Sequence, residues 1–225
     1  MQDKPDLAAL IGSRICHDLI SPIGAIGNGV ELMMMTPGHS GPELTLIAES
    51  VTNANARIRF FRIAFGAAAV GQTIPRGEVR TILDDMTRGG RLKIEWAMPD
   101  GVSRRDVKLV FLLIQCLEVA LPYGGQIRIR ALPGDDGWTI EAEAARMKVD
   151  PALWSRLTRL QIGEDIGADL DPAQVQFALA AIELCRRGLR ISPTVTENQL
   201  TMRIEPGAAH QLATTAGRHS PPANP

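Results

Sequence analysis

Apolar positions repeat at the spacing of a helix throughout the first third of the chain. From residue 6 to residue 70 they recur every three or four residues, which gives a helix one apolar face. The repeat breaks only between Thr36 and Pro42, where the sequence TPGHSGP brings two prolines and two glycines together. The pattern therefore predicts two long helices joined by a tight turn. Their apolar faces consist of Ala8, Ile11, Ile15, Leu19, Ile23, Ile26, Val30 and Met33 in the first helix, and of Leu44, Ile47, Val51, Ala54, Ile58, Phe61 and Phe65 in the second.

The second helix has the more regular pattern, because its apolar positions step by three and four in strict alternation. This is the heptad spacing of helices that pair in a left-handed supercoil. A single pair of helices, each about 42 Å long, leaves much of each apolar face in water. We therefore expect a symmetric homodimer in which two hairpins form a four-helix bundle. The alternative is that the hairpin packs on the C-terminal part of its own chain.

The pattern changes after Gly71–Gly77, a segment rich in glycine and proline that we interpret as a linker. Ser103 and Asp106 then have the spacing of a capping box at a helix N-terminus. The turn residues PGDDG separate two alternating segments, as in a β-hairpin. The predicted elements are a strand at Arg91–Ala97, a helix at Arg104–Leu121, paired strands at Gln126–Leu132 and Trp138–Ala144, a helix from Asp171 and Pro172 to about Arg187, and a last hairpin near Ile191 and Leu200–Ile204.

These elements predict an α plus α/β fold. Residues 1–71 form a helical hairpin for dimerisation, and residues 72–205 form an α/β sandwich. Residues 206–225 are rich in proline, alanine, threonine and glycine without a repeat, so we expect a disordered tail.

Composition narrows the classes of function. The 225 residues carry 24 basic and 25 acidic side chains, a net charge of -1, so no general attraction to nucleic acid or to a membrane surface is encoded. The three cysteines lie far apart with no metal-binding spacing, and we interpret them as reduced thiols. The sequence shows no long apolar run and no signal peptide at its start, so we expect a cytoplasmic protein without a membrane segment.

His17 is the only one of the four histidines that falls within a predicted helix. It lies two positions from Ile15 and from Leu19, which places it about 200° away from the apolar face and therefore toward solvent. An exposed imidazole is a nucleophile near neutral pH. The same face of the helix carries Ser13, Arg14, Ile20, Ser21 and Gly24.

Two charged neighbours could assist phosphate transfer to His17. Asp18 could accept a hydrogen bond from one ring nitrogen, which would fix the tautomer and stabilise positive charge as a nitrogen–phosphorus bond forms. Arg14 lies one turn earlier and could neutralise phosphoryl oxygens. A surface histidine beside an aspartate is usually only a solvated pair, so the surrounding sequence must decide.

The sequence ICHDLISPI, residues 15–23, resembles the phosphoacceptor H-box of sensor histidine kinases. His17, Asp18, Leu19 and Pro22 match the positions that recur in that motif. The order of a helix with an internal proline, a heptad helix and an α/β domain is also that of a histidine kinase core. The resemblance implies that the second domain is a degenerate, ATPase-like α/β sandwich.

The nucleotide-binding positions of such kinases are not retained. The segment LLIQCLEVALPY, residues 112–123, resembles their N-box, but Val119 and Gln115 stand where asparagines occur and Pro122 replaces a basic residue. Valine cannot ligate Mg²⁺. The kinase glycine loop is replaced by AARMKVDPALW, residues 144–154. We therefore expect no ATP binding, and we interpret Gly163 and Gly167 as part of an ordinary loop.

Residues 6–204 resemble the histidine phosphotransferases of the ChpT family, and the segment SRICHDLISPIGAIGNGVEL, residues 13–32, resembles the first helix of that family. The resemblance implies a homodimer that accepts phosphate from the receiver of a CckA-like hybrid kinase and passes it to CtrA-like and CpdR-like response regulators. It also implies no cofactor in this chain, since the receiver would supply Mg²⁺.

Under this interpretation His17 and Asp18 are the catalytic residues. The phosphate or receiver docking residues are Arg14, Ser13, Ile20, Ser21 and Gly24. For Gly24, Gly27 and Gly29 the alternative is that they only let helices approach or bend. Two rival functions stay open, a dimeric adaptor that binds receivers without taking phosphate and an ATP-dependent histidine kinase.

Overall fold

The computed structural model of the chain describes residues 6–35, 41–133, 137–165 and 170–207. Two long helices, α1 (Leu7–Met35) and α2 (Gly41–Ala64), pack against each other as the predicted hairpin. Most of the predicted turn, residues 36–40, lies outside the described residues. No helix in the described ranges is long and apolar enough to cross a bilayer.

The hairpin is packed most closely at Gly29. A Cβ atom at this position would lie 2.6 Å from Cγ1 of Ile47, so only glycine allows α1 and α2 to approach this far without rearrangement. Pro22 is buried within α1, and the helix continues past it. The packing therefore depends on two residues of α1 that do not belong to its predicted apolar face.

The predicted apolar faces are divided between burial and solvent within one chain. On α2, Ala54 and Phe61 are buried, whereas Leu44, Val51 and Ile58 are exposed. On α1 the exposed members of the stripe include Ile23 and Val30. As expected for a single pair of helices, part of each apolar face is left in water within one chain.

The rest of the chain forms a mixed sheet with helices packed on it. The strands are β1 (Thr73–Ile74), β2 (Leu92–Ala97), β3 (Val102–Ser103), β4 (Gly125–Ala131), β5 (Trp138–Glu143), β6 (Leu189–Val195) and β7 (Gln199–Pro206). Five of them form the sheet in the order β2-β4-β5-β7-β6, and β2 and β4 form its parallel pair. A separate two-stranded ladder joins β1 to β3. The helices are α3 (Arg76–Thr87), α4 (Arg104–Ala120), α5 (Pro151–Arg159) and α6 (Val175–Arg186).

Helix α4 lies at the centre of the hydrophobic core. It begins as predicted, with the Ser103 side chain accepting from the Asp106 backbone N–H. Phe111 stacks on Phe60 of α2 with 4.3 Å between the ring centroids, and Lys108 donates to the carbonyl of Gly66 at 2.8 Å. One core thus continues from the hairpin into the sheet, and the predicted division at residue 71 stays a prediction.

The structure differs from the sequence-based expectation in three places. The predicted linker at Gly71–Gly77 is wrong in part, because it contains strand β1 and the start of α3. Helices α3 and α5 were not predicted. The helix predicted from Asp171 begins instead with a 3-10 turn at Pro172–Gln174, and α6 follows it. The expected tail falls on residues 206–225, of which 208–225 lie outside the described residues.

Candidate functional site

His17 lies on the outer face of α1, as its spacing from the apolar stripe predicts. Its side chain is 82% exposed, and its Nδ1 atom lies 3.1 Å from Oδ1 of Asp18. The other ring nitrogen, Nε2, has no hydrogen-bond partner among the described residues. When Nδ1 carries the proton and donates to Asp18, Nε2 keeps a lone pair and faces solvent as a nucleophile.

Asp18 occupies a very different environment from its neighbour. Its side chain is only 11% exposed, and its two oxygens have different partners. Oδ1 is directed to His17, while Oδ2 accepts from Nε of Arg14 at 2.9 Å. The predicted contact between Asp18 and the imidazole is therefore confirmed.

Arg14 does not have the position that the sequence suggested. Its side chain is 13% exposed, and besides Asp18 it contacts the carbonyl of Ala173, to which Nη1 donates at 2.9 Å. The interpretation that Arg14 neutralises phosphoryl oxygens stays a prediction, but two nitrogens of the guanidinium already have protein partners at the junction between α1 and the 3-10 turn at Pro172–Gln174. The sequence could not show this, since Ala173 is 159 residues away.

The remaining predicted docking residues all lie on the exposed face of α1. They are Ser13, Ile20, Ser21 and Gly24. Ile20 is 68% exposed. A Cβ atom at Gly24 or Gly27 would meet nothing within 4 Å, unlike one at Gly29. Gly29 therefore allows the two helices to pack closely, as one interpretation of the glycines expects. Gly24 and Gly27 do not serve this packing, and docking stays the prediction for Gly24.

A groove of about 530 Å³ begins at His17 and runs between the hairpin and the end of α3. Helix α1 contributes His17, Asp18 and Ser21 to its wall. The facing elements contribute Glu49, Asn53 and Arg57 from α2 and Asp85, Arg88 and Gly89 from α3 and the turn after it. Sequence reasoning missed this groove, because α3 was not predicted.

Asp85 forms ion pairs that join the α2 side of the groove to the α3 side. It accepts from Arg59 of α2 and from Arg88, each at 2.6 Å. Burial acts to raise the pKa of Asp85, but the two guanidiniums outweigh it and lower that pKa. The carboxylate therefore stays ionised and pairs with both guanidiniums. Of the two, Arg88 is on the α3 side of the groove, and its side chain is 66% exposed.

The region that resembles a kinase N-box is part of the core. Gln115 is 1% exposed, and its side-chain amide has no hydrogen-bond partner among the described residues. Val119 and the downstream Met147 and Val149 pack against the main core. The backbone N–H of Lys148 donates to the carbonyl of Ala120 at 2.9 Å. The segment that replaces the kinase glycine loop thus closes over the C-terminal end of α4.

Glu118 is an acidic side chain near the C-terminal end of α4. Burial raises its pKa, and Asp18 also acts to raise it, while the charges of Arg57 and Arg14 act in the opposite direction. Glu118 is therefore within electrostatic range of both the hairpin arginines and the carboxylate that faces His17.

Comparison with known proteins gives a consistent set of relatives. Residues 76–199 match the family of the histidine phosphotransferase C-terminal domain. The protein phosphotransferase ChpT of Brucella abortus (strain 2308) is 32% identical over 208 residues, which are 89% of this chain and 95% of that protein. A solved structure of a bacterial phosphotransferase superposes with a TM-score of 0.73 at 31% identity, covering 89% of this chain and 96% of the other. This chain therefore belongs to the family of histidine phosphotransferases that includes ChpT.

Proposed function

We propose that this chain is the histidine phosphotransferase of a two-component phosphorelay, accepting phosphate on His17 from a receiver aspartate and passing it to response regulators. The observation that carries the proposal is the exposed imidazole with Nδ1 directed to a nearly buried aspartate. Membership of the family supports it.

The transfer requires little chemistry from this chain. The lone pair of His17 Nε2 attacks the phosphorus of the aspartyl phosphate in line, the nitrogen–phosphorus bond forms, and the bond from phosphorus to the receiver carboxylate breaks. The carboxylate leaves with the electron pair. No proton has to move in this step, because Nδ1–H stays directed to Asp18, which stabilises the positive ring. Transfer to a second receiver reverses the same events.

The receiver would dock over the exposed face of α1. Ile20 offers an apolar contact, and Ser13, Ser21 and Gly24 leave room for a close approach. The groove extends this surface to Arg88 in the second part of the chain. CckA-like, CtrA-like and CpdR-like receivers are the partners that the family resemblance implies, each bringing its own Mg²⁺. The cytoplasm stays the predicted compartment.

A homodimer is part of the proposal. The exposed edge of the hairpin carries Ile23 and Val30 on α1 and Leu44, Val51 and Ile58 on α2. These residues continue the heptad spacing beyond the buried edge, and a second copy of the same edge would cover them. The exposed His17 lies on a different face, so both copies could receive phosphate.

We further propose that phosphate does not reach His17 from ATP bound by this chain. Three observations support this. Gln115 is buried in the core, and Val119 packs against the core at the position where such kinases have a Mg²⁺-binding asparagine. The backbone hydrogen bond from Lys148 to Ala120 holds the following segment against the C-terminal end of α4. A nucleotide could enter only if this segment were displaced.

The test is transfer of label from a phosphorylated receiver to this chain, followed by detection of an acid-labile, base-stable phosphoramidate. We expect His17→Ala to lose all label, and His39→Ala, a matched change of another histidine of the chain, to retain it. Label that persists on His17→Ala would contradict the proposal. A His17→Ala chain that delivers the full biological output would instead support the adaptor function.

A further inference from the structure

Arg14 links the phosphoacceptor site to the other end of the chain. Its Nε donates to Asp18 at 2.9 Å, and its Nη1 donates to the carbonyl of Ala173 at the same distance. Together with the contact from Asp18 to His17, these bonds form one continuous chain of polar contacts from the exposed imidazole to the 3-10 turn before α6.

The distal end of this chain of contacts is firmly held. The backbone N–H of Ala173 donates to the Asp171 carboxylate at 2.7 Å. The carbonyl of Ala173 also accepts from Nε2 of Gln176, a fully buried side chain, at 2.9 Å. Both polar groups of the Ala173 backbone are therefore used, and the turn provides a fixed anchor for the guanidinium.

The anchor matters because α1 alone would hold this pair weakly. Arg14 precedes Asp18 by four residues, and a basic residue before an acidic one is the less favourable order for such a helical pair. A second bond to a fixed carbonyl reduces the freedom of the long arginine side chain. With Nη1 bonded to Ala173, Nε of the rigid guanidinium can then hold Asp18 in one orientation.

We propose that Arg14 is a positioning residue that fixes the Asp18 carboxylate, and through it the tautomer of His17 that leaves Nε2 free to attack phosphorus. The proposal rests on the proposed function of His17. It also gives the second part of the chain a role in the transfer step, since that part supplies the carbonyl that anchors Arg14.

Loss of Arg14 would act on the imidazole through Asp18. With Oδ2 unpaired, the carboxylate could rotate away from the ring, and Nδ1 would lose its fixed acceptor. The proton could then reside on Nε2, and a protonated Nε2 has no lone pair for phosphorus. At the junction of α1 with the 3-10 turn, the fold would lose the hydrogen bond from Arg14 to Ala173.

The direct readout is the tautomer of His17, measured by ¹⁵N nuclear magnetic resonance of the full chain. We expect the Nδ1-protonated form in the wild-type protein and a shift toward the Nε2-protonated form in Arg14→Met. Lys108→Met is the matched control, because it removes another cation that bonds a backbone carbonyl, here that of Gly66 after α2, without contacting Asp18. An unchanged His17 spectrum in Arg14→Met would overturn the proposal.

The kinetic readout is labelling of His17 by phosphoramidate, a small donor that needs no receiver docking. We expect Arg14→Met to slow labelling about tenfold, which is less than the ~100-fold or more of a lost acid or base, because Asp18 itself remains. In an Asp18→Asn background the same change should have no further effect, since Arg14 acts through Asp18. Equal losses in both backgrounds would show that Arg14 contacts phosphate directly and would overturn the proposal.

Two controls distinguish failure of the role proposed for Arg14 from failure of the function proposed for His17. Arg14→Lys retains the charge but lacks the rigid, planar guanidinium that reaches Asp18 and Ala173 through two separate nitrogens, so it should recover only part of the labelling rate. Full recovery by lysine would show that charge alone matters and would count against positioning. A wild-type chain that phosphoramidate cannot label would count against the proposed function itself, and the tautomer measurement would still decide the role of Arg14.

Discussion

Two adjacent side chains of α1 have opposite surroundings. His17 is 82% exposed and Asp18 is 11% exposed. The sequence was sufficient to place the histidine, because its angle to the apolar stripe follows from helical geometry alone. The burial of Asp18 could not be predicted in this way, since it arises from Arg14 and from the packing of a turn far along the chain.

Ile20 tests the docking surface at the level of one residue. We expect Ile20→Asp to slow transfer from a phosphorylated receiver at least tenfold, because it replaces an apolar contact by a charge. Labelling by phosphoramidate should be much less affected, since this small donor does not dock through an apolar contact with Ile20. Met34→Asp is the control, a comparable change at an exposed apolar position about 21 Å further along α1.

If Ile20→Asp lowered the rates with both donors equally, the residue would be acting on the site or on the fold rather than on docking. An unchanged rate with the receiver would remove Ile20 from the proposed surface.

Individual helices and strands were predictable where their local signals are strong. Helix α4 has a capping box and the apolar run Leu109–Ile114. The hairpin β4–β5 has alternating strands around turn residues. Helix α5 was missed although Asp150 caps it and Pro151 begins it. This is the same Asp–Pro signal that correctly marked the start of the segment at Asp171. Helix α3 begins at Arg76 within a segment whose glycine and proline content favours a linker.

Two glycines of α1, Gly27 and Gly29, should change the stability of the chain in opposite directions when each is replaced by alanine. Alanine in a helix interior is about 1 kcal/mol more favourable than glycine. Gly27→Ala should therefore stabilise the chain by up to about that amount, because the new Cβ meets no described atom within 4 Å. Gly29→Ala should destabilise it by about 1 to 3 kcal/mol, because its Cβ would overlap Ile47 and force α1 and α2 apart.

Urea unfolding of the two variants at one protein concentration measures this difference. Equal effects of the two substitutions would contradict the packing described for α1 and α2.

For the molecule as a whole, the sequence predicted the hairpin and the sheet but not how they meet. The contacts that join them, such as the Phe60–Phe111 stack and the Arg59–Asp85 bond, are between residues far apart in sequence. The groove beside His17 arises from this junction. Its composition therefore could not be derived from local periodicity.

The exposed heptad edge gives a prediction about assembly. We expect Val51→Glu to convert the dimer into a monomer, because a charge would be buried at the centre of the symmetric interface. Thr45→Glu adds the same charge at an exposed position of α2 that lies about 120° around the helix from Val51, and it should leave the dimer intact. Sedimentation velocity measures both. A wild-type chain that sediments as a monomer at micromolar concentration would contradict the proposed bundle.

The central claim is that His17 carries phosphate between two receivers and does not draw it from nucleotide. The direct measurement mixes a phosphorylated donor receiver, this chain and a second receiver without ATP, and follows the label over time. The account predicts that label appears first on this chain as a phosphohistidine and then on the second receiver, and that His17→Ala stops both steps. Passage of label between the receivers with His17→Ala, or labelling of the wild-type chain by ATP alone, would contradict it.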